Sequence, residues 1–229
     1  MHFEPPMVLF LYFLPGVLFH LSLFLFTKPI SMILKVSSWT AQMIQAQLIL
    51  FGSQIVILLL FTSNFGALTL VDVAQRLGMF RFSFSNIVFA VAWGYFSVLL
   101  LRWYLRKFGR RLMSFLDKFL IFKIPEWHYQ KIKAPDFTPR FASIVWVVLL
   151  LTNVVVEKFY FRAFLFDLTN FSLIPTWILN GFLFILYHTF QASKTYALFP
   201  LGLLIAGYYA LTKDLYGAMV IHFMINKML

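Results

Sequence analysis

Apolar residues along the 229-residue chain fall into long runs separated by short polar or basic stretches. The runs predict helices at Met7–Phe26, Ala41–Thr62, Asn86–Leu101, Phe141–Leu165, Leu173–Phe190, Leu198–Leu211 and Tyr216–Leu229. Runs near 20 residues suit the roughly 30 Å hydrocarbon core of a bilayer. Pro15-Gly16 interrupts the first run, and membrane helices tolerate the kink this predicts. Glu4 is the only charged side chain before that run. The run is also too long for a signal sequence and lacks a clear small-x-small cleavage site, so it is expected as a retained span. No soluble domain, internal repeat or low-complexity segment is visible. The expected organisation is one membrane domain: N-terminal spans and a basic loop over 7–140, then a core over 141–229.

Composition turns that pattern into a class. The chain is 62% hydrophobic and 12% charged, against about 45–50% and about 25% for soluble domains. Mean hydropathy is +0.85, and 30 Phe, 6 Trp and 10 Tyr add aromatic bulk. Too little polar surface exists to cover a water-soluble globule. The expectation is an all-α integral membrane protein of about seven transmembrane helices. With no cysteine, disulfides, thiolate metal sites and cysteine nucleophiles are excluded.

A net charge of +11 would suggest nucleic acid, were it spread evenly. Ten of the 19 basic residues lie between Arg102 and Arg140, beside only Asp117, Glu126 and Asp136. That segment is the expected cytoplasmic loop. Phe115-Leu116 and Phe119-Leu120-Ile121-Phe122 among its charges fit an amphipathic helix on anionic headgroups; ordinary positive-inside bias is the plainer account. Neither needs nucleic acid. Seven spans with this loop inside put the N-terminus outside and the C-terminus in the cytoplasm. Rich use of Phe, Ile and Lys points to an AT-rich genome, hence to a bacterial inner membrane.

Ionisable groups inside spans are expensive and mark function by default. His20 stands alone on the first run, where a packing role suffices. Gln42, Gln45, Gln47 and Gln54 suit hydrogen bonds between helices. The last third differs. Glu157, Lys158 and Arg162 interrupt one run, His188 lies in the next, and His222 and Asn226 sit in the last. Glu157 and His188 are 31 residues apart, with their midpoint in the turn signal Asp167–Thr176. Antiparallel helices joined there carry both to one membrane depth. His222 and Asn226, spaced i,i+4, share a helical face. Such a set can activate water, with a carboxylate as general base and imidazole and carboxamide donors for the oxyanion. Tying helices together is the competing use of the same groups.

Three segments carry a family resemblance: Glu157-Lys-Phe-Tyr-Phe-Arg162, Phe184-Ile-Leu-Tyr-His188 and His222-Phe-Met-Ile-Asn226. They resemble, in order, the Glu-Glu-x-x-x-Arg, Phe-x-x-x-His and His-x-x-x-Asn motifs of the CAAX-protease and bacteriocin-processing (CPBP, or Abi) intramembrane proteases. The resemblance covers about residues 141–229. It implies that Glu157 activates water, that His188 assists it, and that His222 and Asn226 form the oxyanion site. It also implies glutamate chemistry without a metal; the alternative is a divalent ion such as zinc on Glu157, His188 and His222. The implied substrate is a membrane-associated or lipid-modified peptide.

The sequence departs from that pattern at Lys158, where the family has its second Glu. Lys158 and Arg162, four apart, form a like-charge pair on a regular helix, so Asp167 or Asp214 is expected as their counter-ion. Lys158 beside Glu157 favours the ionised carboxylate and weakens it as a proton acceptor. Two other functions stay open. One is a catalytically impaired relative serving as a binding, immunity or regulatory protein. The other is a transporter, against which stand the small size and the lack of repeated spans.

Overall fold

The computed structural model describes residues 5–36, 38–65, 83–109, 111, 139–166, 174–187 and 199–228. Within them the chain is helical: α1 (Pro5–Leu34), α2 (Ser38–Phe65), α3 (Phe84–Tyr104), α4 (Pro139–Lys158), α5 (Thr176–Tyr187), α6 (Phe199–Thr212) and α7 (Leu215–Met228). α3 continues as a π-helical turn over Leu105–Gly109, and α4 as another over Phe159–Phe164. Among the described residues, Pro6–Leu34 and Phe84–Gly109 are long and apolar enough to cross a bilayer.

Each apolar run forms a helix, but the ends differ where charges can stay outside. α1 continues through Pro15 and Pro29 to Lys35, whose left-handed φ of 51° ends it. Lys28 is exposed, so extending the helix past the run buries no charge. The loop expected over 102–140 is shorter at both ends. Arg102–Gly109 prolong α3, with Arg102, Arg106 and Lys107 exposed, and Pro139-Arg140 open α4. Residues 112–138, with the expected amphipathic segment, lie outside the described residues, as do Asp167, His188 and Lys194. The expected single run Phe141–Leu165 divides at Lys158 into an α and a π part.

The helices pack in a closed circuit of neighbours: α1 on α2, α2 on α4, α4 on α7, α7 on α3, α3 on α6, α6 on α5, and α5 on α1. The π turn of α4 touches α2, α5 and α7. It joins two cores. Tyr160, Phe161 and Leu165 pack with Val8, Tyr12, Leu50 and Phe184 on one side. Ala163 and Phe166 pack with Ala90, Ile205, Tyr208 and Ile221 on the other.

Since lipid is as apolar as leucine, close contact and hydrogen bonds hold such helices together. Gln47 Nε2 donates to Leu149 O at 2.7 Å, and Gln54 Nε2 to Val156 O at 2.6 Å. Two rungs with the same seven-residue offset set α2 parallel to α4. The Gln45 amide lies 2.9 Å from Ser22 Oγ and 3.2 Å from Thr27 Oγ1, tying α2 to α1. His20 packs edge-on to Phe24 at 5.1 Å. Asp214, left by Lys213 at φ 51°, caps α7 by accepting from Tyr216 N at 3.0 Å.

α5 and α6 cross where glycine meets glycine. A Cβ on Gly202 would press on the Gly181 carbonyl and on Ile185, whereas one on Gly52 would meet nothing within 4 Å. Gly202→Ala is therefore expected to destabilise the bundle by about 1–3 kcal/mol through overpacking. Gly52→Ala is expected to be neutral or to stabilise α2 by up to about 1 kcal/mol. Thermal unfolding in detergent measures both.

Candidate active site

Three ionisable side chains, Glu157, Lys158 and Arg162, leave α4 within two turns, and all three are buried. A regular helix would turn one of its faces outward. Here the π turn begins directly after Lys158, and residues 160–163 are all buried. π turns recur at functional sites; this one lets a single segment aim side chains at α1, α5 and α7.

Glu157 faces two ways. Its Oε1 accepts from Asn153 Nδ2 at 3.0 Å, one turn back on α4. Its Oε2 lies 3.7 Å from His222 Nδ1 on α7, close for an ion pair and long for a hydrogen bond. Both side chains are about 95% buried, with 5% exposure each. Gln54 bonded to Val156 O fixes the backbone immediately before the carboxylate.

Lys158 and Arg162 converge on one phenyl ring. Lys158 Nζ lies 4.2 Å and Arg162 Cζ 4.7 Å from the centre of Phe184, both residues being 0% exposed. The ring also meets His222 edge-on at 6.3 Å. A desolvated cation–π contact contributes about 2 kcal/mol or more. The expectation of Asp214 as their counter-ion is corrected here. Asp214 takes Tyr208 OH at 3.2 Å and caps α7, while Asp167 lies outside the described residues. Among the described residues, Glu157 is an acidic group whose charge acts on both cations.

Arg162 also makes the hydrogen bonds of the site's floor. Nη1 donates to Asn180 Oδ1, and Nη2 to Gly202 O at 3.3 Å. Asn180 in turn donates to Tyr12 OH and, at 2.8 Å, to Phe161 O in the π turn. Tyr160 OH donates to Leu11 O. The N-terminal helix α1, which carries none of the motifs, thus buttresses the motif-bearing segment.

Among the expected site residues, the structure brings Glu157, Lys158, Arg162 and His222 together around Phe184. Asn226 lies one turn beyond His222, in the last turn of α7, and is exposed. His188 lies outside the described residues. Glu157 and His222 offer two of the three ligands a zinc site on these residues would use. Asn153 and Asn180 were not singled out from the sequence. Asn180 had a signal, a lone carboxamide within an apolar run; Asn153 had its spacing of four from Glu157.

Arg162→Met strips the buried Asn180 Oδ1 and Gly202 O of their donor and is expected to cost about 3–5 kcal/mol. Lys158→Met keeps the packing volume and removes a desolvated ammonium, so its thermal midpoint in detergent is expected to equal or exceed that of the parent. The opposite order of the two midpoints contradicts this account of the cations.

Residues 139–228 match the Rce1-like family, described as type II CAAX prenyl endopeptidase Rce1-like. The match runs from the first residue of α4 to the last of α7 and contains every residue of the site except those supplied by α1 and α2. No curated protein and no solved structure matches the chain. Over its α4–α7 segment, this all-α membrane protein is similar to the Rce1-like family, a family of CAAX-type proteases.

Proposed function

We propose that the chain is an intramembrane endopeptidase that hydrolyses a peptide bond in a membrane-associated or lipid-modified peptide, with Glu157 activating the attacking water. The observation that carries this is the buried Glu157 Oε2 facing His222 Nδ1 at 3.7 Å, inside the segment that matches the CAAX endopeptidase family. A water lying off the Oε2–Nδ1 line can touch both atoms. Glu157 accepts one proton from it as the oxygen attacks the scissile carbonyl. The C–N bond then breaks, and the departing amine takes that proton from Glu157. Low-dielectric surroundings strengthen any donor aimed at the oxyanion. His222 and Asn226 are assigned that part by the family pattern, and His188 the part of assisting Glu157. The exposed last turn of α7 leaves Asn226 accessible to a bound peptide. No cofactor is required by these steps.

The lipid bilayer is the second partner in this proposal. Arg102 Nη2 donates to Met228 O at 2.6 Å, so the basic end of α3 and the C-terminal end of α7 lie together. This supports placing both on the cytoplasmic side, where Arg102, Arg106 and Lys107 meet anionic headgroups. A bacterial inner membrane is the location proposed.

A second reading, a binding or regulatory membrane protein without catalysis, is favoured by one observation: the buried Lys158 standing where the family has an acid. One experiment separates the two. The purified chain in liposomes is given a farnesylated peptide ending in a CAAX sequence and carrying a fluorophore–quencher pair. Cleavage is expected, with Glu157→Gln reducing its rate by about 10²–10⁴-fold and His222→Ala lowering it as well, at unchanged thermal midpoints. An intact peptide with the parent chain, or full rate with Glu157→Gln, overturns the peptidase proposal. In the first case, cleavage gained on Lys158→Glu identifies an impaired peptidase.

A further inference from the structure

Glu157 is not a symmetrical carboxylate in this structure. Asn153, one helical turn earlier on the same face of α4, donates its amide to Oε1 at 3.0 Å. Oε2 is the oxygen turned to His222 Nδ1, at 3.7 Å. The helix carrying both side chains is itself held in register. Gln47 takes Leu149 O and Gln54 takes Val156 O, one bond on either side of Asn153. Asn153 therefore lies on a stretch of backbone that α2 fixes at both ends, and Glu157 follows directly on the second fixed point.

We propose that Asn153 is a positioning residue for Glu157: it holds Oε1, and so commits Oε2 to the water shared with His222. This rests on the proposal that Glu157 is the base, and adds which of its oxygens works and what selects it. The physical basis is orientation. A carboxylate free to rotate about its last bond offers either oxygen in a range of directions, and misplacement by about 1 Å costs about 10²-fold in rate. A donor on one oxygen removes that freedom before the peptide binds. Asn153 touches neither peptide nor water in this scheme, so it acts on the chemical step and not on affinity.

The amide could instead merely help to satisfy a buried carboxylate, and kinetics distinguish the two roles. With the farnesylated fluorogenic CAAX peptide as probe, Asn153→Ala is expected to lower kcat about 10- to 100-fold with KM within about twofold. Asn153→Gln, whose longer arm still donates one turn on, is expected to recover most of the rate. Asn153→Asp keeps the size but loses the donor and is expected to resemble Asn153→Ala. In a Glu157→Gln background the Asn153→Ala change is expected to add nothing, since residues acting as one unit are not additive.

Full kcat in Asn153→Ala overturns the inference, as does a loss shared between kcat and KM or a loss that Asn153→Gln does not restore. Asn153→Ala at full rate while Glu157→Gln is dead refutes the positioning role and leaves the base intact. Full activity in Glu157→Gln, or no cleavage by the parent chain, refutes the base and the positioning role together.

Discussion

An ammonium and a guanidinium share one phenyl ring at the centre of this bundle, and much of the structure follows from accommodating them. Burying an ion in an apolar interior costs several kcal/mol unless charge, hydrogen bonds or polarisable surface compensate. Lys158 and Arg162 sit four residues apart and repel. Phe184 receives both over its π-system, Glu157 supplies the compensating negative charge, and Asn180 and Gly202 O take the guanidinium donors. Gly202 can serve because α6 approaches α5 glycine to glycine, which brings its carbonyl inward. The tight crossing and the buried arginine are two sides of one arrangement.

The π turn is the backbone counterpart of that arrangement. It starts immediately after Lys158 and ends two residues after Arg162, so it spans the stretch that must face inward on several sides. Its Phe161 carbonyl is taken up by Asn180, whose amide also reaches Tyr12 on α1. In this way α1 supports a site to which, within its described residues, it contributes no acidic or basic side chain. Glu157, just upstream of the turn on regular helix, is left to face His222 across the α4–α7 contact.

The seven helices of the described residues were legible in the sequence because each is an apolar run, and their ends were not, because Lys28, Arg102 and Lys107 ride on helix surfaces without being buried. The proximity of Glu157 to His222 followed from motif order, which reports on tertiary placement that periodicity cannot. The ring that receives the cations was not foreseen, for a physical reason. Charge arithmetic looks for an acid and offers Asp167 and Asp214; Asp214 is spent on the α6–α7 turn, and Asp167 lies outside the described residues. A phenylalanine in an apolar run carries no sign of serving as a cation's partner. The π turn has no sequence signature either, since Phe159–Phe164 reads as ordinary helix. Asn180 was visible in principle as a carboxamide among apolar residues, and Tyr12 was not.

Together these features describe a membrane bundle whose costliest buried charges are gathered beside one carboxylate and one imidazole. The central claim is that this carboxylate delivers water to a peptide carbonyl. It is tested most directly by cleaving the farnesylated CAAX peptide in heavy-oxygen water and weighing the products. The account predicts one heavy oxygen atom in the new carboxylate of the prenylated fragment, and none of that product with Glu157→Gln. A labelled product formed equally well by Glu157→Gln would contradict it.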